Sequence, residues 1–198
     1  MLENKPRLYI LGSSICGGLT TIPLDIIQTR IISSSNVNFS LNELRWLALM
    51  PIIFLTQNSV YEWSKFLKNK TMRGILAGLS ATGPYVFLEI KKMERRLNLL
   101  PKYKKFIFWI TLREIVLYSL IYNIISSNIR YAAFIAGLVG NGLVYPLKLI
   151  AILKSYPIIG VSCSSIKKTM LLEILKSAIG DGITLYLVYN FKYSPLKK

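Results

Sequence analysis

The sequence predicts an all-α membrane protein of six transmembrane helices, arranged as three pseudo-symmetric two-helix repeats. Three observations carry this. Apolar residues make up 53% of the 198 and mean hydropathy is +0.45, which is too much apolar surface for a soluble domain of this size. The charged residues, 17% of the chain with a net charge of +16, fall in short connections between uncharged runs. Pro23, Pro84 and Pro146 recur 61 and 62 residues apart. This recurrence divides a single domain, 1–198, into repeats of approximately 6–68, 69–128 and 129–198.

Taken in order, the runs are Leu8 to Leu24, Trp46 to Tyr61, Gly74 to Leu88, Phe106 to Ile129 interrupted by two charges, Tyr131 to Leu147, and a weaker Ile174 to Phe191 holding Lys176 and Asp181. A helix needs about 20 apolar residues to cross about 30 Å of hydrocarbon. Each run is a little short, so each helix carries charges in its end turns, snorkelling to the interface or facing an interior cavity. Small residues precede every repeated proline: Gly12, Gly17 and Gly18; Gly74, Gly78 and Gly83; Gly137, Gly140 and Gly142. Small residues let helices approach closely in lipid and an intramembrane proline kinks a helix, so three kinked odd-numbered helices are expected. The even-numbered runs end on a tyrosine each time, in "VYEWSK" at Tyr61, "IYN" at Tyr122 and "VYN" at Tyr189.

Several function classes drop out. Histidine is absent and the two cysteines, Cys16 in the first span and Cys163 in a loop, lack metal spacing. Neither a nucleophile with its base nor a phosphate-cradling glycine loop is present, so neither enzyme chemistry nor a catalytic residue is expected. The basic residues lie between apolar spans rather than on a soluble face, so nucleic acid is not an expected partner. A homo-oligomer is not indicated. Arg95, Arg96, Lys102, Lys104, Lys105, Lys154, Lys167 and Lys168 weight the odd-numbered connections, which places both termini on the opposite side. "MLENKPRLYI" does not read as a cleavable presequence, so targeting information is expected to be internal.

"PLDIIQTR" at Pro23, Asp25 and Arg30, and "YEWSK" at Tyr61, Glu62 and Lys65, resemble the signatures of the mitochondrial carrier family. Those signatures are Pro-x-[Asp/Glu]-x-x-[Lys/Arg]-x-[Lys/Arg] on odd helices and [Phe/Tyr]-[Asp/Glu]-x-x-[Lys/Arg] on even ones. The resemblance covers nearly the whole chain, is strongest in the first repeat, and marks a short, divergent member with degenerate motifs. It implies the carrier fold, the mitochondrial inner membrane, both termini toward the intermembrane space, and no cofactor apart from bound cardiolipin or another anionic lipid between repeats on the matrix side. It also implies that the family's short connecting helices are largely lost; only "SSIKKTMLLEILKS" is read as keeping one, ahead of the sixth span.

In the family, acids and bases beside the prolines form a matrix-side ring of ion pairs, and a second ring closes the other side. Here the acid positions hold Asp25, Val86 and Lys148 and the base positions Gln28, Glu89 and Ala151. None of the implied pairs survives, which leaves two readings: Lys148 bridges Asp25 and Glu89, or these charges simply snorkel or contact water. On the outer side Glu62 and Lys65 remain, while Asn123 with Ser126 and Asn190 with Tyr193 replace the other pairs. Counting back about thirteen residues from these outer positions, the level of the family's substrate contacts falls at Leu49, Ile110 and the vicinity of Ala178, all apolar. Arg113, Glu114 and Asp181 are the remaining candidate contacts for a substrate or partner. The expected function is therefore a carrier-fold protein that has lost transport and serves as an accessory subunit of a larger inner-membrane complex, the respiratory chain among them. The alternative is a solute carrier exchanging small metabolites by alternating access.

Overall fold

The computed structural model describes residues 5–33, 49–125, 132–156, 162–177 and 179–180. Among them are six α-helices and no strand: α1 Lys5–Ser33, α2 Leu49–Trp63, α3 Lys70–Leu97, α4 Tyr103–Ile125, α5 Ala132–Ser155 and α6 Cys163–Ser177. Two of these, α4 and the Ile135–Ser155 stretch of α5, are long and apolar enough to cross a membrane. The described parts of α2 and α6 are 15 residues each, and the polar residues of α1 and the charges of α3 dilute their hydropathy.

Each helix packs on the next in sequence, and α6 packs back on α1, which closes the six into a ring. Pro23, Pro84 and Pro146 all lie inside continuous helices, α1, α3 and α5. Local chemistry sets the ends of α3. The Asn69 side chain accepts from the Thr71 and Met72 amides at its start, and Asn98 takes the left-handed conformation (φ 52°) at its end. The Lys102 amide then donates to the Ser155 carbonyl at 2.7 Å, which ties the start of α4 to the end of α5.

The third repeat differs from its sequence reading. Ser162 caps α6 by accepting from the Ser165 amide at 3.1 Å, and the helix then runs unbroken through Ile174 to Ser177. "SSIKKTMLLEILKS" is therefore not a surface helix ahead of a span that starts at Ile174, and Cys163 opens α6 rather than lying in a loop. The physical reason is that Thr169 and Glu173, one turn apart, are buried against the ring (0% and 2% exposed). Beyond residues 179–180, the remainder of the predicted sixth span, with Asp181, Tyr189 and Asn190, lies outside the described residues.

The tightest seam is between α3 and α4. A Cβ at Gly78 would sit 2.5 Å from the Glu114 carbonyl oxygen, and one at Gly74 would sit 2.7 Å from that of Tyr118. With Ala77 and Ala81 fully buried beside them, the two backbones meet directly, as small residues permit in lipid. Gly83, on the same helix, faces open space. Gly78→Ala should therefore lower the thermal unfolding midpoint in detergent, because overpacking at ~1–3 kcal/mol outweighs the up to ~1 kcal/mol helix-propensity gain. Gly83→Ala carries only the gain and should leave the midpoint level or slightly raised.

Candidate functional site

Four carboxylates and five cations are gathered inside the ring: Asp25 of α1, Glu89, Lys92 and Arg96 of α3, Arg113 and Glu114 of α4, Lys148 of α5, and Glu173 and Lys176 of α6. Every helix but α2 contributes. Asp25 is the hub. Its Oδ2 accepts from Lys92 at 3.2 Å and from Arg96 at 2.9 Å, and its Oδ1 accepts from Lys176 at 3.1 Å, which joins α1 to α3 and α6. Lys92 also donates to Glu89 Oε1 at 3.3 Å. Lys176 reaches Gln28 Oε1 at 3.3 Å, and Gln28 Nε2 donates to the Thr169 carbonyl at 3.1 Å. On the far side, Glu173 lies 2.6 Å from Lys176 and 3.5 Å from Lys148.

A second group sits deeper along α4. Arg113 donates to the adjacent Glu114 and to Asn141 Oδ1 of α5 at 2.6 Å, lies over the Tyr85 ring at 4.9 Å, and comes within 4.0 Å of Glu173. Its Nε has no hydrogen-bond partner among the described residues. These groups line one side of a cavity of about 610 Å³, its mouth included, and Met50, Ile53 and Phe54 of α2 with Leu117 line the apolar side. A smaller adjoining cavity is bounded by Asp25, Gln28, Glu89, Arg96 and Lys148.

Six sequence-predicted residues, Asp25, Gln28, Glu89, Arg113, Glu114 and Lys148, thus converge, the ones beside the prolines with other partners. Lys148 does not bridge Asp25 and Glu89: its ion pair is with Glu173, and the bridging role belongs to Lys92. Arg96, counted by sequence among the connection charges, has a side chain only 3% exposed and holds Asp25. Arg30 is exposed near the end of α1. Of the positions read as the apolar substrate level, Ile110 is packed in the core and Ala178 lies outside the described residues, and the polar groups that reach the cavity include Arg113, Asn141 and Glu173. Lys92, Arg96, Glu173 and Asn141 were missed. Lys92 and Arg96 stand three and seven residues after Glu89, on one helical face with it, and that spacing was the available signal.

At the opposite end, Tyr61 and Tyr122 stack with ring centroids 3.6 Å apart. Arg73 donates to the Tyr61 carbonyl at 2.9 Å and lies over its ring at 4.0 Å. Asn123 donates to Thr71 at 3.0 Å, joining α4 to α3. Glu62 and Lys65 pair within their own turn. Just beyond α5, burial pushes the Tyr156 phenol above its ordinary range, so it stays protonated.

No family model, curated protein or solved structure matches the chain.

Removing one partner from a buried charge network leaves the others uncompensated, at roughly 3–5 kcal/mol. Asp25→Asn, which takes away the carboxylate shared by Lys92, Arg96 and Lys176, should lower the detergent unfolding midpoint by many degrees. Glu94→Gln, which removes only the half-exposed pair with Lys91, should leave it unchanged within error.

Proposed function

We propose that this chain is a carrier-type six-helix protein of the mitochondrial inner membrane that has lost transport and serves as a structural subunit of a larger membrane complex, the respiratory chain among the candidates. One observation carries the reading. The buried charge is concentrated toward one end of the ring, where Asp25, Glu89, Lys92, Arg96, Lys148, Glu173 and Lys176 tie α1, α3, α5 and α6 together. At the other end the motif position of the second repeat is the neutral Asn123, and that of the third, Asn190, is neutral in sequence and lies outside the described residues. Alternating access needs two latches of comparable strength, because a ligand shifts an equilibrium only by its differential affinity for the two states. A bundle latched by a buried charge network between helices at one end, and at the other by ring stacking, the Arg73 contacts to Tyr61 and a largely exposed Glu62–Lys65 pair within one turn, favours one state throughout. The closed ring of consecutive helices and the proline in each odd helix support the carrier architecture, and the apolar outer faces, Phe87, Phe108 and Leu143 among them, support a place in the bilayer.

A second reading, a solute carrier, is favoured by the cavity itself. Arg113, with its unpartnered Nε, Asn141 and Glu173 offer polar contacts opposite an apolar wall, which suits a small charged metabolite.

Reconstituted in liposomes, the protein should exchange no labelled carboxylate, nucleotide or amino acid above protein-free vesicles. In native gels of gently solubilised mitochondrial membranes it should migrate with a large complex. Saturable exchange lost in Arg113→Ala would establish the second reading, and migration solely as a single chain would remove the subunit role.

A further inference from the structure

The turn between α2 and α3 carries the two most exposed large apolar side chains among the described residues, Trp63 at 73% and Phe66 at 66%. Their rings meet edge to face at 5.4 Å, so the pair is formed before anything binds to it. Lys65, Lys68 and Lys70 surround them and are exposed. The nearby carboxylate, Glu62, is paired with Lys65, while Lys68 and Lys70 pair with no carboxylate among the described residues. The turn's own polar groups are turned inward and used. The Leu67 amide donates to the Ser64 carbonyl at 2.9 Å, the Ser64 hydroxyl to the Tyr61 carbonyl at 3.0 Å, and Asn69 caps α3. What remains facing outward is two rings and the ammonium groups of Lys68 and Lys70, beside the Lys65–Glu62 pair.

We infer that Trp63 to Lys70 is an interfacial anchor that binds anionic phospholipid headgroups in the leaflet where the even-numbered helices end. The inference rests on the membrane reading above and places its lipid at the end opposite the charge network. An indole at a span's end takes the interfacial level, lysines beside it extend to phosphate, and clustered lysines draw anionic lipid to the surface. The core of a protein interface is depleted in lysine, so the mixture favours headgroups over a neighbouring subunit.

The test uses the full chain with Trp46→Phe and Trp109→Phe, leaving Trp63 as the fluorophore, in phosphatidylcholine vesicles with and without anionic lipid. Lipids brominated near the glycerol should quench Trp63 more than lipids brominated near the chain ends. Brominated anionic lipid should quench at a lower mole fraction than brominated phosphatidylcholine does. Lys65→Gln, Lys68→Gln and Lys70→Gln together should abolish that preference, at about fivefold per lysine, while leaving quenching by brominated phosphatidylcholine intact. Equal quenching by neutral and anionic lipid would overturn headgroup selection, and stronger quenching from the chain ends would overturn the interfacial position. Protection from both lipid bromine and aqueous acrylamide would show that a protein surface or a second copy covers the turn. Failure to float with vesicles after alkaline washing would instead defeat the membrane reading, separately from the anchor.

Discussion

The structure depends on the requirement that charge taken out of water be neutralised where it lies. A carboxylate or ammonium buried alone costs several kcal/mol, and the attraction between partners only offsets that cost when the geometry is good. Asp25 is shared by three cations, Lys92 and Arg96 of α3 and Lys176 of α6, and Glu89 and Glu173 supply further negative charge to Lys92 and Lys176. The helix that carries Asp25 is therefore held from both sides. Closure of the ring through α1 and α6 and the pairing at Asp25 are one fact seen at two scales.

The same requirement explains the division of labour between helices. Where α3 meets α4, packing is done by glycine and alanine backbones in contact, which leaves no room for side chains in the seam. The long polar side chains of both helices are consequently used elsewhere, Arg113 over Tyr85 and Lys92 toward Asp25. The α2 side of the cavity, lined by Met50, Ile53 and Phe54, contributes no charge. Gln57, one turn further along, is 1% exposed with neither amide atom hydrogen-bonded among the described residues. Polar satisfaction is thus uneven around the ring, dense at α1, α3 and α6 and thin at α2.

Much of the architecture was legible because it is written in periodicity. The apolar runs marked helices, and the repeated prolines placed Asp25 and Lys148 at equivalent positions, with Glu89 one turn beyond the matching Val86, and all three do face one interior. What the pattern could not supply was partnership. Which cation meets Asp25 depends on the rotation of α3 about its axis and the depth of α6 in the ring, and both are set by contacts distant in sequence. Lys91 and Lys92 show the difference: one residue apart, about 100° around the helix, Lys91 pairs with Glu94 at the half-exposed surface while Lys92 is buried against Asp25 and Glu89. Glu173 was overlooked for a related reason. Its segment reads as amphipathic with abundant surface lysine, and only the ring shows that its buried side is polar.

The cavity has to be judged by what its charges are already doing. Lys92, Lys148, Lys176 and Arg113 each have a carboxylate within ion-pair distance. An anionic solute entering the ring would therefore compete with internal carboxylates that are held in place at no translational cost. A transporter meets this difficulty by letting such pairs open in one state and reform in the other, which returns the energy within the cycle. With Asn123 at the opposing position of α4, a return step has little to draw on there, since hydrogen bonds between helices in a bilayer average only about 0.6 kcal/mol. The stronger the network around Asp25, the less of the cycle remains accessible, so the features that make the bundle stable are the ones that argue against motion.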